Sequence, residues 1–346
     1  MQTKVIPISD PANSAEVLTE AAEIIRHGGL VVFPTETVYG LGADATNAGA
    51  AKAVYAAKGR PSDNPLIIHI ARPEDAEPYA ITNQTYYKLA KQFMPGPLTV
   101  ILPRKETIPL EVTGGLDTVA VRCPSHPVAH ALIAAAGVPI AAPSANLSGR
   151  PSPTCAAHAI EDLTGRVDMI LDGGECEFGL ESTIVKLDGE DGTLLRPGAV
   201  TYDALCCVCR HMTVAPAVTA MLKENERPLS PGMKYRHYAP HAPLTLLEGA
   251  DDEVRNFLRS AANDSSVGIL CFEEEQATLE NCRHLFPVGR KNDLLTQAHR
   301  LFAALREADE YPEIKQLYAH LPTTDGVGLA LYNRMIRAAA HTIKKV

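Results

Sequence analysis

Seven short, mostly apolar runs recur through the first 190 residues, each four to six residues long: Leu30 to Phe33, Leu66 to Ile70, Leu98 to Leu102, Thr118 to Arg122, Pro139 to Ser144, Asp168 to Leu171 and Ser182 to Leu187. They are too short for helices and lack the polar alternation of a half-exposed strand, so they predict strands buried on both faces. Helical patterns lie between several of them. Val17, Leu18, Ala21, Ala22, Ile24 and Ile25 recur at helical spacing, and Gly28-Gly29 supplies a left-handed stop. A second helix starts from Asn47 as N-cap and runs through Ala57, ahead of Gly59-Arg60-Pro61, and a third covers Pro127 to Ala136. Some strands follow one another too closely for a crossover helix. The prediction is therefore an α/β domain with a twisted mixed sheet.

After residue 205 the pattern changes. Residues 206–241 have no clean periodicity and contain SPGMKYRHYAP, which reads as an extended linker. Beyond it come PLTLLEG, a helix from about Asp251, SSVGILCF, a long helix from about Asn292 to Ala308 and a last helix after Gly326-Val-Gly328. That alternation predicts a small Rossmann-like domain. A chain of 346 residues has room for two domains, here drawn as 1–205 and 242–346.

Charge and composition exclude several classes. The net charge is −9, and residues 1–205 carry 15 Lys and Arg against 24 Asp and Glu. Such a chain is a poor general polyanion binder, so DNA coating is excluded and any phosphate site has to be a local gathering of cations. Aromatics make up 5% with no Trp, against the stacking platforms of single-strand binders. No apolar run approaches the ~20 residues of a membrane span, and MQTKVIPISDPANS lacks the core of a signal peptide. The expectation is a cytoplasmic protein. Cys206, Cys207 and Cys209 contain one C-x-x-C, but no second ligand pair follows at zinc spacing, so they are read as idle thiols with no metal site.

The chemistry gathers at the ends of the predicted strands. PTETVYGLG, Pro34 to Gly42, packs hydroxyls and a carboxylate behind the first strand, where open α/β sheets bind ligands. KGRPSDNPLIIHI places Lys58, Arg60, Ser62 and Asn64 in a loop bracketed by two prolines. Its bland reading is a helix end whose cations complement the dipole; its functional reading is a polyphosphate cradle. His69 is either a hydrogen-bonded core histidine or a side chain aimed into a cleft. Thr118 and Arg122 share one face of a strand, and an inward Arg needs an anionic partner. PSANLSGRPSPT offers Ser144, Asn146 and Ser152; ESTIV offers Ser182; LLRPG offers Arg196. No G-x-S-x-G, Walker A, H-E-x-x-H or G-x-G-x-x-G pattern is present. Cations and hydroxyls without a nucleophile suit phosphate chemistry by positioning.

These segments, in this order across about 165 residues, closely resemble the threonylcarbamoyl-AMP synthases, the YrdC-like family, and SPGMKYRHYAP with TTDGVGLALYNRMIRAA resembles its long two-domain members. The resemblance implies a concave cationic pocket and a nucleotidyltransferase. Its reaction converts L-threonine, bicarbonate (or carbon dioxide) and ATP to threonylcarbamoyl-adenylate and pyrophosphate. The product supplies tRNA threonylcarbamoyladenosine through tRNA-modifying partner proteins. It further implies that Thr37, His69, Arg122 and Ser182 hold threonine, with Arg122 forking its carboxylate. Lys58, Arg60, Asn64, Thr118, Ser144, Asn146, Ser152, Arg196, Tyr235 and His237 would contact ATP, with Lys58, Arg60 and Arg122 catalytic. Magnesium would arrive on the ATP phosphates. Ser230 to Pro240 is expected to act as a lid. The competing classes are an RNA-binding module and an ATP sensor without turnover.

Overall fold

The first helix forms as the spacing predicts, and its C-terminus shows why it stops. Helix α1 (Ala15–Arg26) buries Leu18, Ala21, Ala22 and Ile25, and Gly28 follows at φ +84°. A computed structural model describes residues 2–220, 229–230 and 238–346, which fall into two units. The first unit takes the chain up to Ser148 and again from Ser152; the second takes Gly149–Pro151 and the C-terminal part.

Among the described residues, the strands of the first unit form one eleven-stranded sheet. Its strands are β1 (Lys4–Pro7), β2 (Val31–Phe33), β3 (Gly40–Asp44), β4 (Ile67–His69), β5 (Leu98–Pro103), β6 (Thr118–Arg122), β7 (Ile140–Ala141), β8 (Met169–Asp172), β9 (Thr183–Asp188), β10 (Asp191–Arg196) and β11 (Met212–Val214). The order is β1-β8-β2-β3-β7-β4-β6-β5-β9-β10-β11. Parallel pairs such as β4 with β6 and β5 with β9 sit beside antiparallel ones such as β5 with β6, so the sheet is mixed. All seven predicted runs are strands. β3 is an addition, formed from the end of PTETVYGLG, which reads as a turn because glycines carry no apolar pattern. Those glycines make room: a Cβ on Gly42 would lie 2.8 Å from both the Phe33 ring and Ile140.

Helix α2 (Ala48–Lys58) is capped by Asn47, whose side chain accepts from the amides of Gly49 and Ala50, and Gly59 at φ +62° ends it. Helices α3 (Gln84–Phe93), α4 (Pro127–Ala136), α5 (Ala156–Leu163) and α6 (Tyr202–Cys206) complete the unit. Helices α1 and α4 bury Leu18, Ile25, Leu132 and Ile133 against Val31, Phe33, Met169 and Leu171. The linker drawn from residue 206 needs correcting at its start. Met212–Val214 is strand β11, parallel to β10, and Cys209 before it is buried. Three residues are too few for a periodic signal.

The second unit holds β12 (Leu244–Glu248), β13 (Val267–Cys271), β14 (His284–Pro287), β15 (Gln316–His320) and β16 (Ile343–Lys345) with helices α7 (Asp251–Ala261), α8 (Leu294–Asp309) and α9 (Gly328–Ala338). Its sheet is parallel throughout, in the order β14-β13-β15-β12-β16. Counted within the unit this is 3-2-4-1-5, whereas the dinucleotide-binding order is 3-2-1-4-5. The unit is parallel α/β but departs from the Rossmann strand order, because β15 inserts between β13 and β12. Alternation along the chain predicts parallel pairing and is blind to that exchange.

Candidate active site

Register builds the centre of the site. In the three neighbouring strands β4, β6 and β5, His69, Arg122 and Thr99 are direct cross-strand partners, so their side chains share a face. Arg122 is 4% exposed. Its Nη2 donates to Glu36 Oε1 at 2.7 Å and lies 3.4 Å from the Thr35 hydroxyl, while its buried Nε–H has no partner. The inward Arg does meet a carboxylate, and it is Glu36. Glu36 was not among the expected site residues, although PTETVYGLG displays it; its Oε2 accepts the Ser125 amide at 3.2 Å. Thr35 fixes this loop. Its hydroxyl donates to Val38 O at 2.7 Å and accepts from the amides of Thr37 and Val38, and the Thr35 and Thr37 oxygens are 2.9 Å apart.

His69 is a core histidine that also belongs to the site. Its Nδ1 lies 3.1 Å from Ile67 O and 3.3 Å from Ile140 O, which assigns the proton to Nδ1 and leaves Nε2 an acceptor. The Phe33 ring meets it edge-on at 6.1 Å. Burial first, and the Arg122 charge second, push its pKa down to about 3, so the ring is neutral at pH 7. Ser182 is fully buried, with its hydroxyl 2.7 Å from that of Thr99. Arg196 donates from Nε to Ser182 O at 2.9 Å and from Nη2 to its hydroxyl at 3.1 Å. Arg196, expected on the ATP side, therefore touches a residue expected on the threonine side. Gly198 allows this: a Cβ there would lie 2.6 Å from Thr183 N.

The cation loop is equally buried. Lys58 is 2% exposed, and its Nζ donates to the carbonyls of Ser144 and Asn146. The Ser144 hydroxyl donates to Asn146 Oδ1 at 2.6 Å. Arg60 reaches Asn64 O at 3.3 Å and Pro65 O at 3.1 Å, folding the proline-bracketed turn onto its own guanidinium; Asn64 Oδ1 is buried without a partner. Tyr39 O accepts from Ala145 N and Pro143 O from Leu41 N, which joins the PTETVYGLG segment to the APSAN turn. Ser152 donates to Glu181 Oε1 at 2.5 Å, beside Ser182 in sequence. Thr118 opens β6, half-buried, four residues before Arg122. Tyr235 and His237, and most of the segment expected as a lid, lie outside the described residues.

Thr37, His69, Arg122 and Ser182 thus form one connected group through Thr35 and Thr99, and Lys58, Ser144 and Asn146 form another. Thr99 and Glu181 are members sequence reasoning passed over, while Thr35 and Glu36 stood in the polar PTETVYGLG segment without being given a substrate. Cys206 and Cys207 are exposed and free, and stand at the end of α6.

An α/β sheet that buries cations, hydroxyls and a neutral histidine near its strand ends has the chemistry of a site for small molecules with anionic groups. A family profile described as telomere recombination (Sua5, YciO, YrdC) matches residues 23–198, and one described as the C-terminal domain of threonylcarbamoyl-AMP synthase matches residues 200–340. The threonylcarbamoyl-AMP synthase of Bacillus subtilis (strain 168) is 45% identical over 325 residues, covering 93% of this chain and 92% of that protein. That of Pyrococcus abyssi (strain GE5 / Orsay) is 43% identical, covering 94% and 95%. The crystal structure of P. abyssi Sua5 complexed with L-threonine matches with a TM-score of 0.89 at 40% identity, covering 100% of both chains. The chain belongs to the threonylcarbamoyl-AMP synthase family, in its two-domain form.

Proposed function

We propose that the chain joins L-threonine, bicarbonate and ATP into threonylcarbamoyl-adenylate, releasing pyrophosphate. The observation that carries this reading is the buried Arg122, with Nη2 on Glu36 and its Nε–H unpaired, on the strand next to the neutral His69. A buried N–H without a partner costs roughly 1–3 kcal/mol, which an incoming carboxylate recovers. Arg122 takes the threonine carboxylate, and the hydroxyls of Thr37 and Ser182 with His69 Nε2 surround the rest of the amino acid.

Lys58, Arg60, Asn64, Thr118, Ser144, Asn146, Ser152 and Arg196 serve ATP. The carbamate oxygen attacks the α-phosphorus in line and pyrophosphate leaves. The developing charge is neutralised by cations already excluded from water, where they act most strongly. Among the described residues no three His, Cys, Asp or Glu side chains gather as a metal cage. The residues present fit magnesium held through the ATP phosphates, where it would neutralise charge on the leaving group. The product is a labile mixed anhydride, so it passes to partner proteins that transfer the threonylcarbamoyl group to tRNA. No helix among the described residues is long and apolar enough to cross a membrane.

The test is pyrophosphate release with each substrate omitted in turn. Release that requires threonine, bicarbonate and ATP together is expected. Binding without release would leave an ATP sensor, and release indifferent to threonine an enzyme that merely hydrolyses ATP to AMP and pyrophosphate.

A further inference from the structure

Of the residues expected around threonine, Arg122 carries a charge, and its buried partner is Glu36; their side chains are 5% and 3% exposed. His69 at the same level is neutral. An amino acid is a zwitterion, so a dry site that receives one needs an anion for its ammonium as well as a cation for its carboxylate. The threonine ammonium must also lose a proton before its nitrogen can attack carbon. We propose that Glu36 binds the ammonium of threonine and takes that proton, which makes it a catalytic residue of this site. The inference rests on the function proposed above.

The geometry leaves Glu36 able to do this. Its Oε1 accepts from Arg122 and its Oε2 from the Ser125 amide, two of the roughly four lone-pair positions of a carboxylate. Arg122 spends Nη2 on Glu36 and keeps the unpaired Nε–H. A zwitterion laid along the pair thus has an acceptor for its ammonium and a donor for its carboxylate. The loop cannot swing away, because Glu36 O accepts the Phe178 amide and Thr35 closes the turn.

The proton balance is simple. The ammonium passes one proton to the Glu36 carboxylate, giving the free amine and a neutral acid. The nitrogen lone pair then attacks the bicarbonate carbon, forming a C–N bond. One C–O bond breaks, and the departing hydroxide leaves as water with a second amine proton. The carbamate carries the single negative charge that bicarbonate brought, and Glu36 later returns its proton to solvent.

Other titratable groups face Glu36 from each neighbouring element. From β6 come Arg122 and, just past its end, Cys123, whose thiol burial and then the Glu36 charge push up to about 12. His126 at the head of α4 is pushed down by burial, against the Glu36 charge. Cys176, after β8, is pushed up by burial and by Glu36. Both thiols are neutral around pH 7–9, so the response there follows the substrate amine.

The experiment compares wild-type protein with Glu36→Gln in threonine- and bicarbonate-dependent pyrophosphate release between pH 7 and 9.5. Gln keeps the shape and the acceptor for Arg122. At pH 7 its kcat should fall roughly 10²–10⁴-fold. The deficit should shrink as pH rises and threonine arrives with its amine already free. A deficit constant across pH, or a change confined to the threonine KM, overturns the proton-acceptor role. Should Glu36→Gln fail to fold, Glu36→Asp serves. Its carboxylate is drawn back by one methylene, and a variant that folds and keeps the full wild-type kcat also overturns the proposal. Wild-type protein inactive with all three substrates overturns the function itself, an outcome distinct from an active wild type beside an equally active Glu36→Gln.

Discussion

At the scale of single residues, the site is held by charges that have little water to fall back on. Arg122→Ala leaves Glu36 buried without its cation, and removing one partner of a buried pair costs about 3–5 kcal/mol of stability. Urea unfolding should show that loss. Arg122→Lys keeps the charge and most of the stability, yet should weaken threonine binding at least tenfold in calorimetry, since a point charge cannot reproduce the planar fork. Wild-type affinity in the Lys variant would remove the fork. His69 makes a separate prediction about pH. Its folded pKa of about 3 lies below the unfolded value of 6.5. The stability that comes from burying it neutral is present above pH 6.5 and lost as pH falls toward 3. His69→Gln should flatten the fall in melting temperature over that window. A slope identical to wild type would mean the ring titrates normally.

At the scale of elements, close approaches explain both the site and what the sequence hides. Gly198 lets the chain after β10 lie against Thr183 at the head of β9, next to Ser182. Gly198→Ala should cost about 1–3 kcal/mol by overpacking and lower affinity for both substrates, because Ser182 and Arg196 move together. An unchanged urea midpoint would show that the backbone gives way at no cost. Lys58→Ala should weaken ATP far more than threonine. Because Lys58 and Arg60 are 2% and 7% exposed, that loss should persist at high salt, where surface contacts fade. Binding loss that disappears in 0.5 M salt would place Lys58 in open water. Helices with caps, such as α2 between Asn47 and Gly59, were legible in the sequence to within a residue. So were the seven apolar runs. β3, two of whose five residues are glycine, and β16, three exposed residues, were not, since neither carries an apolar run: β3 is defined by pairing with β2 just before it and β16 by pairing with the distant β12. The same limit applies within the site. Cations and hydroxyls at strand ends stood out, whereas Glu36 needed the register of β6 and the turn at Thr35 to become the partner of Arg122.

At the scale of the molecule, a chain with a net charge of −9 leaves most of its described Lys and Arg exposed, while Lys58, Arg60, Arg122 and Arg196 of the first unit are buried near strand and helix ends. That arrangement fits a small polyanionic substrate and disfavours a long one. The most direct test supplies ¹³C-bicarbonate, L-threonine and ATP to the full chain and looks for the nucleotide product by mass spectrometry. One labelled carbon should appear in a threonine-containing adenylate, in step with the pyrophosphate released. An adenylate that contains threonine without the label, or pyrophosphate with no such adduct, would contradict carbamoylation ahead of adenylation at this site.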